Sequence, residues 1–291
     1  MAHRCAQVQR QEVSFEVLSR RIAGRRWHQG ARYPTLALHG WRDNCASFDF
    51  LAPQLIDHDL LAVDMPGHAH SDFRSPDASY NIWEDIGELL AICDQLGWET
   101  FDLAGHSRGA LVAVLLAASH PQRVRRLILI DGLFPQPVGL DAAPAQLAQA
   151  IADNKRLACR PPRYYESFEA AMTQRCKGPL GVSETAARAL AERGVVEDDN
   201  GWYWRLDPRL GGASAVKFSQ QHGEAFIRAL ACSVLLVMGE NSNFRDQSHT
   251  RQLAALNECI ELRVVPGGHH CHMEMGVEDI ASLVRRFSQT A

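Results

Sequence analysis

The chain has 291 residues, 46% hydrophobic and 22% charged, which suits one folded domain with a sizeable core and is too short for two full-sized domains with linkers. A formal net charge of -4 removes any electrostatic basis for nucleic acid or an anionic membrane as partner. The start, MAHRCAQVQRQEV, lacks the apolar run of a secretory signal, no window approaches the roughly 18 apolar residues of a membrane span, and eight dispersed cysteines without a C-x-x-C pair read as reduced thiols of a cytoplasmic protein.

Along the chain, VSFEVLSRRIAGRRWH (13–28) reads as two antiparallel strands joined by a turn. TLALHG (35–40), LLAVD (60–64), FDLAG (101–105) and RLILID (126–131) are short apolar runs of the kind that fill strands buried on both faces. NIWEDIGELLAICDQLG and LVAVLLAASH flank the third run and carry helical periodicity. Buried runs alternating with helices predict parallel strands with crossovers, hence an α/β fold.

The alternation stops between about Phe134 and Ile227, in a stretch rich in alanine, arginine and glutamine. Helical segments such as PAQLAQAIADNKRLA lie there, with a hairpin turn at Asp199-Asn200-Gly201 between two short strands. Alternation resumes with SVLLVMGE (233–240), a helix around QSHTRQLAAL and the strand ELRVVPG. A last helix places Ile280, Leu283, Val284 and Phe287 on one face. The expected organisation is a core of residues 1–135 and 227–291, with a mainly helical lid of residues 136–226 inserted between two of its strands.

Gly105-His106-Ser107-Arg108-Gly109 matches G-x-S-x-G, a pattern that arises by chance about 0.1 times in a chain of this length at ordinary glycine and serine frequencies. Its setting raises its weight: it follows a buried run and opens the apolar helix ALVAVLLAA, the strand–turn–helix context of a nucleophile elbow. A sharp turn there strains the central backbone, the two glycines let strand and helix approach, and Ser107 Oγ is expected to stand exposed at the carboxyl edge of the sheet. A serine hydroxyl needs a base to remove its proton. PGGHHCHMEM, after the last strand, offers His269, His270 and His272. His269 follows two glycines that can aim its ring over the sheet edge and is the expected base, with His270 in reserve and His272 packing at the start of the last helix. Four ligand-type residues packed into H-H-C-H cannot easily converge on one tetrahedral ion, so no metal is expected.

The oxyanion of acyl transfer needs preorganised N–H donors. The backbone N–H groups of Arg108, after the nucleophile, and Trp41, in the loop after TLALHG, are the candidates, while His39 makes a structural hydrogen bond in that loop. For the acid that orients the imidazole, Asp131 competes with Glu240 and Asp246. Asp131 ends the strand beside the nucleophile strand and points to the same sheet edge, so it is favoured. Glu240, Asp246 and the absence of a strict triad remain open.

LALHGWRDNCASFD (36–49), LAVDMPGHAHSD (61–72), AGHSRGA (104–110), LILIDGLFP (127–135), WRLDPRL (204–210) and VVPGGHHCHM (264–273) together resemble the α/β-hydrolase superfamily, in its serine hydrolase-like branch. The resemblance runs from about residue 35 to 285. It implies the α/β-hydrolase fold, a mostly parallel eight-stranded sheet flanked by helices, with a serine nucleophile, a lid and no cofactor. Many relatives carry aspartate where Ser242 stands, whereas this branch carries its acid at the position of Asp131. Two departures are Ala69, where relatives usually have glycine, and Arg108, whose side chain is expected on the surface or in a local pair. The resemblance implies a hydrolase and supplies no substrate; the reading adopted from the site residues is hydrolysis of a carboxylic ester of a small or medium acyl substrate. Thioester and C–C cleavage need the same residues, and a ligand-binding sensor that has lost turnover is the rival from another class. Trp202 and Trp204, with Tyr203, are expected in the lid above Ser107, lining the substrate site. A small molecule is the expected partner, with a homodimer left open.

Overall fold

A computed structural model describes residues 10–178, 180–242 and 247–289. It opens with β1 (Arg10–Val17) and β2 (Arg20–Trp27), paired antiparallel across Leu18-Ser19, whose φ values of 48° and 64° give the tight turn that matches strand twist. There follow β3 (Tyr33–Leu38), β4 (His58–Val63), α1 (Asp85–Gln95), β5 (Phe101–His106), α2 (Arg108–Ser119) and β6 (Val124–Ile130). After the intervening segment come β10 (Ser233–Gly239), α7 (Gln247–Ala254), β11 (Ile260–Val265) and α8 (Val277–Gln289). Between β6 and β10 lie α3 (Ala143–Ala158), β7 (Tyr164–Tyr165), α4 (Phe168–Arg175), α5 (Glu184–Gly194), β8 (Val195–Asp198), β9 (Gly201–Trp204) and α6 (Gln220–Arg228).

One sheet of eight strands runs β1-β2-β4-β3-β5-β6-β10-β11. From β4 to β11 every pairing is parallel, and β2 joins β4 antiparallel. Strands β4 and β5 are buried along their whole length, which explains why the stretches LLAV of β4 and LAG of β5 carry no polar alternation. Side chains still alternate between two cores. Leu36, Leu38, Leu61, Leu103 and Leu236 pack on one face with Leu89 and Ile92 of α1 and Val112–Leu116 of α2. Ala37, Leu60, Ala62, Ile128 and Leu235 pack on the other with Ile280, Val284 and Phe287 of α8, and Leu283 lies beside them. Each of those three α8 side chains contributes about 1.5–3 kcal/mol by leaving water, so Val284→Asp is the single change most certain to detach the helix.

The segment between β6 and β10 has its own apolar core. Ala171 and Met172 of α4, with Ala186, Leu190 and Ala191 of α5, pack together and enclose Met273 from the loop after β11. Its three strands form a second sheet, β7-β9-β8, and the β8–β9 hairpin turns at Asp199-Asn200 as the sequence led one to expect. Ion pairs and hydrogen bonds fasten the segment to the sheet edge: Arg193 to Asp64 at 2.9 Å, Asn44 Nδ2 to the Leu190 carbonyl at 2.9 Å, and Tyr80 Oη to Asp207 at 2.7 Å. The expected junction between residues 226 and 227 falls inside α6, whose Ile227 packs in the first core cluster. Among the described residues no helix is long and apolar enough to cross a membrane.

Candidate active site

The strand–turn–helix at Ser107 explains its glycines. Ser107 joins β5 to α2 with φ 52° and ψ -116°, a conformation that costs an L-residue and persists only because the surroundings impose it. A Cβ on Gly105 would lie 2.6 Å from Gly109 C, and one on Gly109 would strike the Leu38 carbonyl. Helix α2 therefore starts nearly in contact with both β5 and β3. The Oγ is not exposed as expected: Ser107 is only 3% accessible, because Gly132 presses against its backbone and His269 covers its hydroxyl.

Asp131 follows β6 with φ 48°, Ser107 follows β5, and His269 lies after β11, so three loops meet at one sheet edge. Gly267 takes φ 107° and turns the chain so that the His269 ring reaches back over β5. Ser107 Oγ–H donates to His269 Nε2 at 2.9 Å, and His269 Nδ1–H donates to Asp131 Oδ2 at 2.5 Å. Asp131 also accepts the Gly239 N–H at 3.0 Å and the Ser242 hydroxyl at 2.5 Å. Ser242 thus supplies a donor to the carboxylate that follows the neighbouring strand. Glu240 is exposed, with its backbone N–H on the Val265 carbonyl, and Asp246 lies outside the described residues.

Electrostatics divide the pair cleanly. Burial pushes the His269 imidazole down to about 4, against the opposing hydrogen bond from Asp131, so the ring is a neutral base at pH 7. Burial works to raise the Asp131 carboxyl, but the hydrogen bonds from His269, Ser242 and the Gly239 N–H hold it below the usual range and charged.

Trp41 lies in the loop after β3, and Arg108 is the first residue of α2, whose N–H has no partner within the helix. The Trp41 indole donates to the Leu210 carbonyl at 2.8 Å, and the Arg108 guanidinium pairs with Asp85 at 2.8 Å. His39 ties the loop after β3 to the one after β4, donating from Nδ1 to the Gly40 carbonyl at 2.7 Å and accepting the Met65 N–H at 2.9 Å. Ala69 takes φ 43°, which is why glycine suits that position, and its N–H bonds the Arg205 carbonyl at 3.0 Å.

A second His–Asp pair, unseen in the sequence reading, sits beside the first. Asp43 accepts from His270 Nε2 at 3.2 Å and pairs with Arg175 of α4 at 2.6 Å. His106 Nε2–H donates to the backbone carbonyl of His269 at 2.9 Å, while its Nδ1 faces Asp43 at 3.6 Å. The His272 ring packs tilted against His106, with centroids 4.1 Å apart. Asp43, His106 and His270 each bring one potential metal-ligand atom within 4.8 Å of the others. The Arg175 guanidinium already lies 3.1 Å from His270 Nε2, so a fixed cation fills that position. The hint available in the sequence was HGW-x-D-N, which places Asp43 three residues beyond Gly40, together with the histidine just before Ser107.

A cavity of about 820 Å³ opens on the far side of Trp41, walled by α3, α4 and the segment around Leu210. Trp204 lines it and donates its indole N–H to the Ala171 carbonyl at 3.0 Å. Trp202 packs edge-on against Phe168 at 5.8 Å in the core of the inserted segment, and Tyr203 meets Tyr164 at 5.4 Å.

A family model described as alpha/beta hydrolase fold matches residues 33–275. The chain is similar to a probable serine hydrolase of Drosophila melanogaster, 31% identical over 97% of this chain and 88% of the relative. It is also similar to the 2-hydroxymuconate semialdehyde hydrolase of Pseudomonas sp. strain CF600, 31% identical over 64% of this chain and 76% of that one. The crystal structure of a hypothetical protein from Pseudomonas aeruginosa PAO1 superposes with a TM-score of 0.92 at 36% identity, covering 96% of this chain and 99% of that chain.

Proposed function

Given that this chain belongs to the α/β-hydrolase superfamily, in its serine hydrolase-like branch, and is a hydrolase, we propose that it cleaves a carboxylic ester through an acyl-enzyme formed on Ser107. The observation that carries the reading is the continuous hydrogen-bond chain from Asp131 through His269 to Ser107.

In this reading Ser107 Oγ attacks the acyl carbon as His269 Nε2 takes its proton. Asp131, charged and bonded to Nδ1–H, holds the tautomer that leaves Nε2 free and stabilises the imidazolium that forms. The Trp41 and Arg108 N–H groups bind the oxyanion, whose charge develops only in the transition state, so they favour it over bound substrate. Collapse expels the alcohol, which receives its proton from His269. Water, deprotonated by the same ring, then attacks the acyl-enzyme and releases the acid and Ser107. Residues 136–226 act as a lid that keeps bulk water from the acyl-enzyme and shapes substrate choice, with Trp204 offering apolar surface and Trp202 a structural support.

The test is labelling by a fluorophosphonate, followed by turnover of a panel of neutral esters. Wild type should label stoichiometrically and Ser107→Ala not at all; labelling of Ser107→Ala at another residue would remove Ser107 from the role. The similarity to a semialdehyde hydrolase supports a second reading, C–C cleavage by the same three residues. A β-diketone in the panel separates the two.

A further inference from the structure

The cavity beyond Trp41 has a charge balance unlike the rest of the molecule. Its wall presents Arg42, Arg156, Arg160, Arg163, Arg175 and Lys177 against a single carboxylate, Asp207, in a chain whose formal net charge is -4. Partners account for only part of this. Arg156 pairs with Asp153 at 2.7 Å and Arg175 with Asp43 at 2.6 Å, while Asp207 is taken by Arg209 and Tyr80, each at 2.7 Å. Arg42, Arg160, Arg163 and Lys177 have no carboxylate at ion-pair distance among the described residues. Two of these guanidiniums are held over rings instead, Arg42 over Trp41 at 5.3 Å and Arg163 over Tyr165 at 5.1 Å. The cavity walls desolvate Arg42 although its side chain stays partly open to solvent. That desolvation, and after it the charges of Arg175 and Arg160, lower its pKa.

Cations drawn together without counter-charges repel one another, so the grouping is unfavourable until an anion enters. Arg42, Arg160, Arg163 and Lys177 are exposed, as the cations of any solvated basic face are, and what distinguishes this group is the concave apolar surface it rims. Here Leu157, Trp204 and Leu210 line the same concave space, which has the volume of a small-molecule site. Four uncompensated charges exceed what one carboxylate neutralises, and a planar guanidinium fork matches phosphate oxygens two at a time. We infer that this cavity binds a phosphate-bearing part of the substrate, distant from the scissile bond, so that the physiological substrate is a phosphorylated acyl ester or thioester. Trp41 connects the two sites: its ring is part of the cavity wall, and its backbone N–H is the oxyanion donor of the function proposed above, on which this inference rests.

The experiment compares substrates that differ in phosphate alone. Butyryl-coenzyme A and butyryl-N-acetylcysteamine share an acyl group and a thioester, with phosphates only on the leaving group of the first. A pair of 4-nitrophenyl esters, of a phosphonoalkanoic acid and of the matching unsubstituted acid, moves the charge to the acyl side. One pair should show a kcat/KM preference for the anionic member of about 10- to 100-fold, the size expected from one or two charge-assisted contacts. The triple variant R160Q/R163Q/K177Q should erase that preference while changing turnover of the neutral member by no more than about twofold, since these side chains lie outside the catalytic centre. Because the cavity is open to water, the preference should shrink as ionic strength rises from about 0.05 to 0.5 M. Which pair responds tells which side of the scissile bond carries the phosphate. Equal kcat/KM for charged and neutral members in both pairs would overturn the inference, as would a triple variant that slows both members alike. If no substrate turns over, the proposed acyl-transfer reading fails separately. Calorimetric titration of pyrophosphate then decides the cavity: binding lost in the triple variant upholds the inference, and no binding to wild type refutes it.

Discussion

His269 and His270 are adjacent in sequence, each is held by an aspartate, and burial lowers the pKa of both. They differ in what faces the other side of the pair. Both rings lie against His106, but the His269 ring touches a serine hydroxyl, whereas His270 and its aspartate touch the Arg175 guanidinium. The first arrangement leaves a neutral nitrogen against a removable proton, and the second is a closed electrostatic knot. Burial would raise the Asp43 carboxyl, but the facing His270 and Arg175 hold it well below the usual range. A His–Asp pair is thus not a catalytic device in itself; the third partner decides whether it moves a proton or ties two segments together. Here the knot joins α4 of the inserted segment to the loop that carries His269, and His106 donates to the His269 backbone carbonyl.

The comparison breaks most visibly under substitution of the two acids. Asp131→Asn should reduce kcat by roughly 10⁴, because an amide stabilises the wrong tautomer and no imidazolium. Glu240→Gln, on an exposed side chain, should change it by less than about twofold. Steady-state kinetics on one neutral ester, with folding checked by circular dichroism, measures both. Asp43→Ala should behave in the opposite way. Removing one partner strands Arg175 and should cost about 3–5 kcal/mol of stability, seen as a lower midpoint in urea unfolding, while kcat falls no more than about tenfold. The sign with pH follows from the depressed Asp43 carboxyl: its contribution is present above the unfolded carboxylate pKa and is lost as pH falls through the lower folded value. Wild type should therefore lose stability in acid more steeply than Asp43→Asn.

Two smaller effects sharpen the contrast. Ser242→Ala removes one donor from Asp131 and should lower kcat by about tenfold, the worth of a hydrogen bond to a charged acceptor. The acid limb of kcat/KM reports protonation of the free-enzyme base, and activity needs that base neutral. The limb should lie near the value of about 4 to which burial takes His269, well below the ordinary histidine value of about 6.5. In Asp131→Asn the residual limb should move lower still, because the carboxylate that supports the charged ring is gone.

The parts of this architecture legible in the sequence are those written in local pattern. Strands β3 to β6 announced themselves as buried apolar runs, and the elbow by glycines two residues before and after Ser107. Asp131 was legible as the residue ending the strand next to β5, because neighbouring parallel strands end at one edge. Ser242 read as a missing acid, although the structure makes it a donor to the acid on the next strand. What local pattern could not carry is contact between distant segments. Asp43 and His270 are 227 positions apart, and Asp43 and Arg175 are 132 apart, so nothing in the spacing of either joins them. The buried state of Ser107 escaped because Gly132 and His269, which cover it, come from two other loops, and the basic cavity because it is lined jointly by inserted residues and by Trp41 and Arg42 of the β3 loop.

The most direct test of the account is acid quench of wild-type protein within the first turnovers of a slow ester, with mapping of the trapped acyl group by peptide mass spectrometry. One acyl group per chain should accumulate on Ser107 in wild type, forming orders of magnitude more slowly in Asp131→Asn but at nearly the wild-type rate in Asp43→Asn. An acyl group on any other residue, or equal slowing by the two asparagine variants, would contradict it.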